Sequence, residues 1–144
     1  RLIEGERRAG TFKMVTYQFF KARVERNRRL FRTLVENCRF QDQKVVGYCA
    51  SAKGVIALNY FGVDLDYVVD DTPTKQGKRI PGKDTPIVPA EVLQREPGRL
   101  NIVILAWNWL EEITSRIQSL RGDGDRLLSY VPEVSCRETA AVEV

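Results

Sequence analysis

Apolar residues recur at three- and four-residue steps over the first quarter of the chain: Tyr17, Phe20, Val24, Phe31, Val35 and Cys38. That period predicts one long helix from Thr11 to about Arg39, with a single apolar stripe interrupted around Asn27 and Arg28. Residues 1–10 are charged and show no period. From Lys44 the pattern changes. Lys44–Tyr48 reads as a strand, the small residues after it as a turn, and Ala52–Tyr60 as a helix that Gly62 closes. Leu65–Asp70 reads as a second strand. Residues 71–86 form a long loop with three prolines, two glycines and four Lys/Arg, too long and polar for a simple connector. Ile87 and Val88 add a short strand. Pro89 starts a short helix, AEVLQRE, that Pro97 and Gly98 end. Leu100–Trp107 is a strand, and Leu110, Ile113, Ile117 and Leu120 mark one face of a helix from Leu110 to Leu120. Arg126–Val131 is a last strand running into Pro132. The tail from Glu133 to Val144 has no period and is expected to fray.

Strands that alternate with helices predict an α/β fold: a Rossmann-like, open, mostly parallel sheet with flanking helices, preceded by the long N-terminal helix. The expected organisation is a helical segment over 1–40, a Rossmann-like unit over 41–132 and a tail over 133–144, together one domain. Such sheets bind ligands beyond the carboxyl ends of their strands. Three such ends are legible: the Cys49–Lys53 turn, Asp70 with its loop, and Trp107–Asn108.

The 144 residues, with 43% apolar and 29% charged, have the profile of a globular domain. No run is long enough to span a bilayer and no signal peptide is evident, so a cytoplasmic protein without a membrane partner is expected. The chain opens at Arg1 and its one methionine is Met14, so a piece of a longer protein is expected. It has no histidine, and its three cysteines are scattered, which argues against a metal site. Net charge is +4, but residues 1–40 hold eleven Lys/Arg and four Asp/Glu. The basic face of the long helix, Lys21 to Arg32, reads as a nucleic-acid or phosphate-binding face, a solvated face, or a surface that packs on a missing neighbour. Without interleaved aromatics for base stacking, no nucleic-acid partner is expected.

The turn Gly47–Gly54, GYCASAKG, joins a strand to a helix N-terminus, whose first-turn amides are free to meet an anion. It lacks the spacing of GxGxxG and of a Walker A loop. Small Ala50, Ser51 and Ala52 would admit a phosphate, and Lys53 would add a charge. The same residues also suit a plain βα turn with a surface lysine, and both readings stand.

Three ordered segments resemble a known family. GYCASAKG with LNYFGV is similar to GYGAPAKG and LLNY. LDYVVDDTPTKQGKRIPGKDTPI is similar to DYVVDRNPxKQGxxxPGTxIPI, and VILAWNW to ILAWNY. These are motifs of the C-terminal domain of S-adenosylmethionine-dependent C-methyltransferases acting on nucleotide-linked deoxysugars. The resemblance spans about Thr16 to Pro132. It implies a nucleotide-sugar or similar phosphorylated ligand held against a separate methyl-donor domain. It also implies that S-adenosylmethionine and the catalytic base belong to that domain, with no cofactor and no catalytic residue in this chain. The implied substrate-binding positions are Gly47, Lys53, Gly54, Asn59, Asp70, Lys75, Gln76, Trp107 and Asn108. Ser51 joins them because Cys49 and Ser51 stand where the family has glycine and proline, which shifts phosphate contact toward Ser51. Asp71 stands where a basic residue is usual, which suggests an altered substrate. Asn59, Asp70 and Trp107 also have structural readings, as a backbone partner, a turn cap and a core residue. A stand-alone nucleotide or coenzyme-binding module remains the alternative, as does a homodimer of this chain.

Overall fold

A computed structural model of the chain describes residues 1–139. Helices α1 (Leu2–Arg8) and α2 (Met14–Phe40) lead into strand β1 (Val45–Tyr48), helix α3 (Ala52–Phe61) and strand β2 (Val68–Val69). Strand β3 (Ile87–Val88), helix α4 (Val92–Arg95), strand β4 (Asn101–Ile104), helix α5 (Leu110–Arg121), and strands β5 (Arg126–Ser129) and β6 (Ser135–Glu138) complete the order. The strands form one six-stranded sheet in the order β3-β2-β1-β4-β5-β6. All neighbours are parallel except β5 and β6. The chain builds outward from β1 to β3, then returns to the far side of β1 with β4. The switch point therefore lies between β1 and β4.

Both faces of this sheet are covered, so its strands read as nearly continuous apolar runs. Val45, Val103 and Leu128 pack beneath α2 and α3, while Val46, Tyr48, Ile102, Ile104 and Leu127 pack against α4 and α5. Asp125 anchors the amino edge: buried Arg121 bonds its carboxylate and also the carbonyls of Leu93, Glu96 and Gly98. That one guanidinium ties α4, α5 and β5 together.

The α/β architecture, the mostly parallel open sheet and the long N-terminal helix match the expectation from sequence. Four local features differ. Helix α1 forms where no period was legible, and none of its residues is buried, so nothing apolar is there to set a period. Strand β4 stops at Ile104, and a 3-10 turn, Trp107–Trp109, replaces the predicted strand end. Strand β2 is two residues, and just before it the Asp66 carboxylate accepts the Val45 amide at 2.8 Å while the Asp66 amide donates to the Val45 carbonyl. Strand β6 forms within the stretch expected to fray. It is a polar edge strand and carries no alternation, so its pairing with β5 was not readable from pattern. Residues 140–144 of that stretch lie outside the described residues.

The loop 71–86 is folded onto the sheet. Gly77 donates to Ile87, Ile87 to Lys78, and Ile80 to Thr85. Pro81 is tied to α3 through the Asn59 amide at 2.9 Å.

Candidate functional site

A cleft of about 320 Å³ opens at the carboxyl edge beside the switch point. Three strand ends and one helix build it. Tyr48 and Cys49 end β1; Asp70, Asp71, Thr72 and Lys75 follow β2; Ala106 and Trp109 follow β4; Glu112, Ile113 and Arg116 project from α5. Residues 109, 112, 113 and 116 share one helical face by their three- and four-residue spacing.

Asp70 is the hub of the floor. It is 3% exposed. Its carboxylate accepts from the Ala50 amide at 2.8 Å, the Thr72 amide at 2.9 Å and the Lys75 ammonium at 2.9 Å. Burial alone would push its carboxyl up, but the hydrogen bonds from Lys75 and Thr72 outweigh that and hold it below the usual carboxylate range. Lys75 also donates to the Ala50 carbonyl, and the Gln76 amide to the Asp70 carbonyl. Loop and turn are thereby locked to each other.

The rim carries a second network. The Tyr48 hydroxyl donates to Asp71 at 3.0 Å, and the Arg116 guanidinium lies 3.7 Å from the same carboxylate. Burial and the Asp71 hydrogen bond push the Tyr48 phenol up to about 12, so it stays a donor at neutral pH. Asp71 raises the Arg116 guanidinium further. Glu112 adds a carboxylate to the mouth, and Trp109 and Ile113 give an apolar wall.

Several expected site residues shape this geometry from behind it. A Cβ on Gly47 would come within 2.8 Å of Val68 and 2.9 Å of Leu105, so this glycine faces the core. A Cβ on Gly54 would lie 2.6 Å from that of Leu105, so this glycine brings α3 down onto β4. Ser51 caps α3: its hydroxyl accepts the Gly54 amide at 3.1 Å and donates to the Leu105 carbonyl at 3.0 Å. Asn59 bonds the carbonyls of Val55 and Pro81. Lys53, Trp107 and Asn108 do not line the cleft. The Lys53 ammonium stands 4.8 Å above the Trp107 ring, and Trp107 is 38% exposed, so it is not a core residue. Asp70 and Lys75 line the cleft; the remaining expected residues do not.

Sequence reasoning did not pick out Tyr48, Trp109, Glu112 or Arg116. Glu112 and Arg116 lie on α5 one step round from its apolar stripe, and Trp109 joins them through the 3-10 turn, which the sequence pattern did not show. Cys49 and Asp71 were noticed only as departures from a motif. Cys49 lies at φ 70°, in the left-handed region that glycine favours, which fits the glycine of the motif this turn resembles. Its thiol is half-buried, and burial with the Asp70 charge pushes it up, so it is a protonated wall group.

A doubly wound α/β domain of this topology, with a partly apolar cleft at its switch point, has a Rossmann-like fold. The profile of the C-methyltransferase C-terminal domain matches residues 1–132, and the chain belongs to that family. It is similar to the C-methyltransferase NovU of Streptomyces niveus, with 32% identity over 136 residues, covering 92% of this chain and 32% of the relative. The chain thus spans about a third of that relative's length. Among the described residues, no helix is long and apolar enough to cross a membrane.

Proposed function

We propose that this chain is the substrate-side domain of a cytosolic, S-adenosylmethionine-dependent C-methyltransferase. In this reading, a nucleotide-linked sugar or a related phosphorylated substrate binds at the carboxyl edge. The observation that carries it is the cleft at the switch point, where three strand ends and α5 converge. Trp109 and Ile113 offer a flat apolar wall to a ring, and Asp71, Glu112 and Arg116 offer acceptors and a donor to its hydroxyls. The first-turn amides of Ala52 and Lys53 precede any intrahelical bond and, with the Lys53 ammonium, suit a diphosphate.

The same residues do not suit the methyl donor. A coenzyme ribose needs free acceptors at the end of β2, and both Asp70 oxygens are already engaged by Ala50, Thr72 and Lys75. In this reading S-adenosylmethionine binds another part of the enzyme, and this chain supplies no catalytic base.

Trp109 lines the cleft and Trp107 stands beneath Lys53 at the start of α3, so intrinsic fluorescence of Trp109 reports on the site. Titration with dTDP-glucose and UDP-glucose is expected to shift the emission, and Trp109→Phe to remove most of the change. A response to NAD(H) alone would instead favour a stand-alone coenzyme-binding module.

A further inference from the structure

A second cavity lies beside the turn, on the α3 side. It is a groove of about 460 Å³ between α3 and the loop 71–86. Ala52, Val55 and Ile56 of α3 form one bank, and Ile80, Pro81 and Ile87 form the other. Ile56 is 69% exposed, so apolar surface lies open along this wall. The charged residues that line the groove are Lys75, Lys78 and Arg79, and no carboxylate lines it among the described residues. Lys75 is committed to Asp70 at 2.9 Å, and Arg79 to Asp84 at 2.7 Å. The exposed Lys78 ammonium has no hydrogen bond or ion pair among the described residues.

The groove and the switch-point cleft adjoin at the turn. Cys49 lines the cleft, Ala50 lines the groove, and Lys75 lines both. The Lys75 ammonium donates to the Ala50 carbonyl at 3.1 Å, so it forms a ridge between the two cavities. Their charges differ. The cleft sets Asp70, Asp71 and Glu112 against Lys75 and Arg116, whereas the groove holds cations alone. A diphosphate is repelled by the carboxylates of the first and drawn to the second. Hydroxyls suit the first, where donors and acceptors stand side by side.

We propose that the groove between α3 and the loop 71–86 seats the nucleoside-diphosphate end of the substrate, with Lys78 as a phosphate-binding residue, while the sugar crosses the Lys75 ridge into the cleft. The inference rests on the substrate-side reading above and divides that ligand between two cavities. The base lies against Val55, Ile56 and Pro81, an apolar seat for a flat ring. The Lys78 ammonium and the free first-turn amide of Ala52 meet the diphosphate. Lys78 falls at an open position of the KQGxxxPG pattern, so the motif did not point to it.

The test titrates this chain with dTDP and with dTDP-glucose, followed by calorimetry and by amide NMR shifts. The account expects dTDP alone to bind and to shift the amides of residues 52–56 and 75–80. With dTDP-glucose, residues 109–116 shift as well. Lys78→Met weakens both ligands about tenfold through loss of one charged contact, Lys78→Arg recovers most of that, and Ile56→Gln weakens both. Arg116→Ala weakens dTDP-glucose and leaves dTDP unchanged. Lys78 and Ile56 are exposed, so their variants keep the unfolding midpoint of the chain. Binding of dTDP-glucose that depends on Arg116 but is indifferent to Lys78 and Ile56 overturns the proposal and leaves the substrate-side reading in place. So do dTDP shifts confined to residues 109–116. Failure of both ligands to bind overturns the substrate-side reading and this inference with it.

Discussion

Cys49 adopts a backbone conformation that a side chain resists, with φ 70°. Leaving a non-glycine residue in that region costs roughly 1–2 kcal/mol. Replacement by glycine removes that cost but also a half-buried thiol, so Cys49→Gly is expected to raise stability by no more than about 1 kcal/mol. Cys49→Val places a branched side chain at positive φ and is expected to lower stability by about 2 kcal/mol in urea unfolding. Asp70 gives the residue-scale pH prediction. Its folded pKa lies below the unfolded value, so its stabilisation is complete above the ordinary carboxylate range and is lost as pH falls through the folded pKa. Asp70→Asn should cost about 2–3 kcal/mol at neutral pH, and the gap from wild type should narrow below about pH 4. An acid at this strand end was legible in the sequence. Its capture by Lys75, from a loop folded back over the turn, was not, because that contact depends on the whole path of residues 71–78.

At the scale of elements, helices and strands with a buried face announced themselves by period, and those without one did not. Helix α2 and strands β1 and β4 were readable because their apolar positions meet a core. Helix α1 and strand β6 were not, since neither buries an apolar face. The 3-10 turn at Trp107–Trp109 was hidden because its apolar residues read as the continuation of β4. Gly54 separates two opposing effects. Alanine is the better helix former by about 1 kcal/mol, but a Cβ there would meet the Leu105 Cβ at 2.6 Å. Packing dominates, and Gly54→Ala is expected to destabilise by about 1–3 kcal/mol, measured by thermal unfolding. Arg121 makes the complementary case at the amino edge. Arg121→Met leaves Asp125 buried and unpaired and should cost about 3–5 kcal/mol. Arg121 lines no part of the cleft, so ligand affinity at a temperature where the variant is folded should be unchanged.

For the whole molecule, sheet order and cleft form one argument. The β1–β4 switch point is where an open parallel sheet offers room for a ligand, and the motif-bearing segments converge there from turn, loop and α5. Of the residues expected at the site, Asp70 and Lys75 line the cleft. The turn and the acid at the end of β2 were visible because strand-end positions follow from the fold class. The α5 wall was not, because Trp109, Glu112 and Arg116 come together only once the 3-10 turn sets the phase of the helix. The turn itself has changed meaning: Gly47, Ser51 and Gly54 are set by packing and capping, while Lys53 and the Cys49 wall face the solvent side of the problem. The most direct measurement is calorimetric titration of this chain with dTDP-glucose, NAD(H) and S-adenosylmethionine, repeated on Arg116→Ala. The account predicts saturable binding of the nucleotide-sugar, weakened about tenfold in the variant by loss of one charged hydrogen bond, and no binding of S-adenosylmethionine. Binding of S-adenosylmethionine, or nucleotide-sugar affinity indifferent to Arg116, would contradict it.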